Sequence, residues 1–161
     1  THLVFHNVST RFLLIMPTHE EVATARFQLQ VQKHIQKLIT IWGPVGEEDL
    51  RFIYQRSDFL LLPSLIEGFG LTALEAQASG LPCLLSDIPV LRETTGGHAF
   101  FADPKKPDKW AGLLKSLLSH PEVVTRIKES AQAHASRFTW RAHAEKLIAI
   151  YEEIFSNKLN S

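Results

Sequence analysis

Cysteine is almost absent from this chain: Cys83 is the only one among 161 residues. No internal disulfide can form, and a lone thiol suits a reducing compartment. Neither sign of charge dominates, since 17 Lys and Arg balance 17 Asp and Glu. The chain therefore lacks the electrostatic footprint of a protein that binds nucleic acid or anionic lipid. No apolar run approaches the ~20 residues that a membrane-spanning helix needs. Internal repeats and low-complexity tracts are missing too. Eight histidines are present, but none falls in a zinc-ligand pattern with cysteine, and His2 and His6 have no acidic partner nearby. Packing or surface roles are expected for them, and no metal site.

What remains is ordinary globular material, 45% hydrophobic and 21% charged. A chain of this length makes one domain and buries about 70% of its unfolded surface. Short apolar runs at 12–16, 38–42, 59–62, 83–86 and 98–101 read as strands, most of them closed by proline or glycine. Between them lie helical patterns at 18–37, 47–56, 71–79 and 89–93. After residue 104 the pattern is helical throughout. Trp110, Leu113, Leu114, Leu117 and Leu118 share one face, Pro121 opens a further helix, and Thr139 caps a last one. That last helix is expected to bury Ala144, Leu147, Ile148, Tyr151, Ile154 and Phe155. Residues 1–8 fit a strand or a helix end. Alternating strands and helices imply an α/β domain with a mainly parallel sheet, helices on both faces and a helical C-terminal tail.

The chain is organised around residues 63–76. Pro63 stops a strand, a loop with Gly68 and Gly70 follows, and a helix opens near Leu71. Strand, glycine loop and helix start together bring unpaired N–H groups and the positive helix end to one place, which suits an anion. Such a loop lies at the carboxyl end of its strand, where α/β sheets hold ligands. Glu67 and Glu75 frame it. Taken alone, Glu67 could be an exposed loop residue. Thr72 and Glu75 have the spacing of a capping box, in which Glu75 would bond back to the Thr72 N–H. Cys83, inside an apolar run, reads as a packed thiol.

The run Pro63-Ser64-x-x-Glu67-Gly68-Phe69-Gly70-Leu71-x-x-Leu74-Glu75-Ala76-x-Ala78-x-Gly80-x-Pro82 resembles the paired-glutamate signature of glycosyltransferase family 4, the glycosyl transferases group 1. Trp42-Gly43-Pro44-Val45, Asp49-Leu50 and Ser57-Asp58 before it, and Ser86-Asp87, Glu93, Ala102-Asp103-Pro104 and Phe138-Thr139-Trp140 after it, continue the likeness. The resemblance implies the C-terminal, donor-binding half of a GT-B enzyme, a single Rossmann-like, three-layer domain over 1–161. The family's opening strand, its basic diphosphate-binding pair and the N-terminal acceptor half are then expected to lie outside this sequence, with residues 1–8 as the tail of the helix before the second strand. A chain that opens at Thr1 rather than methionine is accordingly expected to be a piece of a longer protein.

The same resemblance implies the roles. Glu67 would be the catalytic group, accepting from hydroxyls of the donor sugar and stabilising positive charge near the reacting carbon. Glu75 would hold the ribose hydroxyls, and the Val45 backbone would meet the base. Gly68, Phe69, Gly70, Leu71 and Thr72 would offer backbone N–H groups to sugar and phosphate oxygens, with the Phe69 ring equally suited to packing. Asp-x-Asp occurs nowhere, which agrees with metal-independent handling of the diphosphate and with no cofactor. The expected donor is a UDP- or GDP-linked sugar, transferred with retention to a hydroxyl acceptor, with a lean towards mannose. The expected partners are that donor and the acceptor half of the same enzyme, in the cytoplasm, with membrane contact only through absent regions. The alternatives are a nucleotide-sugar-binding module without turnover, an epimerase or phosphorylase-like GT-B protein, and an interaction domain with a vestigial site. The Glu67–Glu75 spacing argues against an epimerase, and no pyridoxal-binding lysine site is apparent.

Overall fold

The computed structural model describes residues 2–6, 11–15, 22 and 38–159. Six strands form one sheet in the order β3-β2-β1-β4-β5-β6. They are β1 (His2–His6), β2 (Arg11–Ile15), β3 (Ile39–Trp42), β4 (Phe59–Leu62), β5 (Cys83–Ser86) and β6 (Phe100–Ala102). Six helices are described: α1 (Glu47–Arg56), α2 (Leu71–Ala78), α3 (Pro89–Thr94), α4 (Pro107–Leu118), α5 (Pro121–Ala135) and α6 (Trp140–Leu159). The helix expected over 18–37 lies outside the described residues apart from Val22, which is helical and buried.

Strands β4 and β5 form the middle of the core. Both are buried along their whole length, which is why their sequences run apolar without alternation. Their register pairs Leu60 with Cys83, Leu61 with Leu84 and Leu62 with Leu85, so successive pairs face opposite sides of the sheet. On one side Leu60, Leu62, Cys83 and Leu85 pack with Tyr54 of α1, Ala73 and Ala76 of α2, and Leu91 of α3. On the other side Phe59, Leu61 and Leu84 meet Trp110, Leu113, Leu114 and Leu117 of α4. Helices therefore cover both faces, and each fully buried leucine contributes about 1.5–3 kcal/mol.

Residues 2–6 correct the expectation of a helix tail. They form a strand in the centre of the sheet, antiparallel to both neighbours, with Leu3 opposite Leu14 on one side and Leu61 on the other. Only four residues separate His6 from Arg11. A connection that short makes a hairpin and cannot make a parallel crossover. The remaining five strands run one way, so the sheet is mainly parallel. The last strand also starts two residues later than expected. The His98 N–H bonds to the Thr95 carbonyl and its carbonyl accepts from Gln77 Nε2 at 2.7 Å, which keeps His98 in the preceding turn.

Thr139 does cap α6, accepting from the Ala142 N–H at 3.1 Å. The stripe along that helix differs from expectation. Ala144, Leu147, Ile148, Tyr151, Ile154 and Phe155 are all exposed. Among the described residues, no helix is long and apolar enough to cross a membrane.

Candidate functional site

The 63–70 loop leaves the carboxyl end of β4. At its start Ser64 Oγ donates to Glu67 Oε1 at 2.7 Å, holding the half-buried carboxylate near the strand end. Leu65 and Ile66 beside it are exposed. Phe69 is half-exposed, and its ring meets Phe138 edge-on, with centroids 6.4 Å apart. The Phe69 carbonyl accepts from Thr94 Oγ1 at 2.5 Å.

Gly70 makes the turn into α2. Its φ of 86° lies in the left-handed region, where a Cβ is costly. A Cβ there would also sit 2.8 Å from Leu91 Cδ2, a side chain with no exposure. Two independent constraints thus select glycine. Gly70 is the N-cap, and its carbonyl accepts from the N–H groups of Ala73 and Leu74 at 3.0 and 3.3 Å. The N–H groups of Gly68, Phe69, Gly70 and Leu71 donate to no backbone carbonyl among the described residues. Four consecutive donors are left at the positive end of a helix.

The capping box read from Thr72 and Glu75 is not formed. Gly70, not Thr72, holds the N-cap, and no side chain caps the helix. Thr72 falls in the first turn, half-buried. Glu75 is one turn further along, on the exposed side of α2. Its pKa is raised, first by partial burial and then by the nearby Glu47 carboxylate, while the Tyr54 hydroxyl opposes the shift. Glu75 therefore faces α1. Tyr54 is buried, and burial followed by the charge of Glu75 pushes its pKa well up. Val45 stands just ahead of α1, its side chain packed with Leu13, Leu50 and Ile53.

Glu75 and the segment carrying Val45 thus share the α1 side, while Glu67 is tied back to Ser64 at the end of β4. Residues the sequence did not mark support the loop from beneath: Leu91 under Gly70, Thr94 under Phe69 and Tyr54 beside Glu75. None belongs to a recognisable local motif. Cys83 is buried, with Sγ 3.4 Å from the Leu81 carbonyl, and burial raises its pKa far above that of a reactive thiol. Among the described residues no group of three or more His, Cys, Asp or Glu could hold a metal. A separate open depression of about 550 Å³ lies over the ends of β5 and β6, lined by Asp87, Phe101, Asp103 and Leu113 among others. It contains Asp87, Ala102 and Asp103 from the segments that continue the family likeness, but none of the residues expected to bind the donor. Asp87 there is already engaged, bound by Arg92 through two contacts of 2.5 and 2.9 Å.

The sequence pattern of the glycosyl transferases group 1 matches residues 20–134. The chain belongs to this family. The D-inositol 3-phosphate glycosyltransferase of Corynebacterium glutamicum (strain R) is 33% identical over 126 residues, which is 77% of this chain and 30% of that protein. The group 1 chain therefore spans about a third of the length of such relatives. Among solved structures, the sucrose-phosphate synthase of Thermosynechococcus elongatus superposes with a TM-score of 0.80 at 22% identity, over 93% of this chain and 40% of that one. HepE of Anabaena, solved with UDP, superposes with a TM-score of 0.72 at 18% identity, over 88% and 40%. At these identities the superpositions establish the fold, a Rossmann-like domain of the GT-B kind.

Proposed function

We propose that this chain is the C-terminal, donor-binding half of a retaining glycosyltransferase, taking a nucleotide-diphosphate sugar without a metal ion or cofactor. One observation carries the reading: the left-handed Gly70 N-cap, which leaves four consecutive main-chain donors at a helix start between Glu67 and Glu75. Those donors and the Thr72 turn meet the diphosphate, whose charge grows as the glycosidic bond breaks. A helix N-terminus carries about half a positive charge, so it favours the departing anion. Glu67, steadied by Ser64, accepts from sugar hydroxyls and stabilises positive charge on the ring as an oxocarbenium ion develops. Glu75 accepts from both ribose hydroxyls on the α1 side, beside the Val45 backbone. The absence of a capping box supports this assignment, since Glu75 is not consumed by its own helix.

HepE has been solved with UDP, with UDP and glucose, and with UDP-glucose. This supports a uridine donor over a guanosine one, and the sugar is a hexose, with glucose and mannose both compatible with a Glu67 contact. The acceptor is a hydroxyl compound held by the other half of the enzyme. Because this chain corresponds to about a third of its relatives' length, it is expected to bind donor alone and to transfer sugar only when completed.

Titration calorimetry with UDP and GDP tests the reading. UDP should bind the chain. Glu75→Ala should weaken UDP by about tenfold, as loss of a charged acceptor from two hydroxyls implies. Glu67→Gln should leave UDP unchanged and abolish the preference for UDP-sugar over UDP. Absence of UDP and GDP binding to the unaltered chain overturns the proposal and favours an interaction domain.

A further inference from the structure

The Phe69–Gly70 peptide is where the loop and the rest of the domain meet. No cis bond is present, so its C=O and N–H point in opposite directions. Thr94 is buried and donates its hydroxyl to the Phe69 carbonyl at 2.5 Å. Whatever fixes that carbonyl inward fixes the Gly70 N–H outward.

Thr94 is itself held from a distant part of the chain. His134, near the end of α5, places Nε2 2.9 Å from the Thr94 carbonyl. A carbonyl can only accept, so Nε2 carries the hydrogen. On the other side of the ring, Nδ1 faces the Arg137 guanidinium, which can only donate. A single tautomer satisfies both partners. The ring reaches this place because residue 96 is glycine: a Cβ on Gly96 would lie 2.5 Å from His134 Cε1. Phe138 lies beyond, its ring tilted against that of His134 with centroids 5.1 Å apart, and also meets Phe69 edge-on. The backbone and the ring of Phe69 are therefore both braced by one segment, residues 134–138.

We propose that Thr94 and His134 are positioning residues that aim the Gly70 N–H at the donor. This rests on the donor-site reading above, in which that N–H meets a phosphate or sugar oxygen. Neither residue touches the ligand. His134 fixes the Thr94 backbone, Thr94 fixes the Phe69 carbonyl, and the trans peptide delivers the orientation to Gly70.

The test uses the whole chain, UDP as probe, and three variants: Thr94→Val, Thr94→Ser and His134→Phe. The first removes the hydroxyl at nearly constant shape, the second keeps it, and the third keeps a ring but removes the donor. Thr94→Val should weaken UDP by about tenfold and His134→Phe by about threefold, as expected for losing one oriented donor and for loosening it. Thr94→Ser should remain within about twofold of the unaltered chain. The Gly70 amide 15N shift, read by NMR without ligand, reports the bond to the Phe69 carbonyl of the same peptide and should move in Thr94→Val and His134→Phe and not in Thr94→Ser. An unmoved shift in both variants overturns the inference, as does a moved shift with unchanged UDP affinity. If the unaltered chain binds no UDP, the donor reading falls and the aim towards a donor falls with it, while the shift data still decide whether the relay orients Gly70. Should Thr94→Val not fold, His134→Phe alone carries the same two readouts.

Discussion

Replacing Gly70 by alanine puts the turn into α2 under direct test. Holding an L-residue at a φ of 86° costs about 1–2 kcal/mol. The new methyl would start 2.8 Å from Leu91 Cδ2. Leu91 has no exposure and packs among Leu60, Leu62 and Leu85, so it cannot swing into solvent. Overpacking of this kind costs about 1–3 kcal/mol. Alanine also stiffens the unfolded chain, which returns about 0.4–1 kcal/mol. The net loss is about 1–4.6 kcal/mol. In a domain of this size that lowers the melting temperature by about 2–4 °C per kcal/mol. Gly68→Ala is the matched control. Gly68 has no atom within 4 Å of the added carbon and no positive φ, so its stability should stay within about 0.5 kcal/mol of the parent. Urea unfolding of the three proteins, with equal m-values, gives the comparison. A Gly70→Ala variant as stable as Gly68→Ala would show that neither the left-handed turn nor the Leu91 contact constrains the loop.

Glu75 makes stability depend on pH in a stated direction. Its folded pKa is raised, so the folded state holds its proton longer than the unfolded state. Stability is then lost as pH rises from the ordinary carboxylate range through the raised value. Glu75→Gln removes that loss, and urea midpoints should match at about pH 4 and favour the variant at about pH 7; a variant less stable at neutral pH contradicts this. Cys83 should ignore a thiol reagent such as DTNB in the native protein and react fully once unfolded, because it is buried and its pKa is raised; native-state labelling would place the strand elsewhere. Leu84→Ala should cost about 2–5 kcal/mol in urea unfolding, since Leu84 is fully enclosed between β4, β6 and α4.

Much of this fold is written locally. The unbroken apolar runs of β4 and β5 mark strands buried on both faces, and both occupy the residues read from sequence. Acidic Glu47, Glu48 and Asp49 open α1 where the pattern placed it, and the Thr139 hydroxyl caps α6 through a bond to Ala142. The paired-glutamate loop and its family could be read the same way. These features depend on contacts between residues a few positions apart, which a sequence displays directly.

Only tertiary structure decided the rest. Residues 2–6 pair locally with β2 as a hairpin, but their central place in the sheet comes from the second pairing, with β4 more than fifty residues away. The helix opens at Leu71 as read, but the close approach of Leu91, twenty-one positions away, to the Gly70 turn is seen only in the fold. The α6 stripe has the periodicity of a buried helix and is nonetheless exposed, since periodicity says that a face is apolar and not what covers it. Thr94 and His134 sit in no motif at all, and their hold on the loop spans 25 and 40 residues of chain. Local chemistry chooses an element; which of its donors remain unpaired is settled by whatever the fold brings against it.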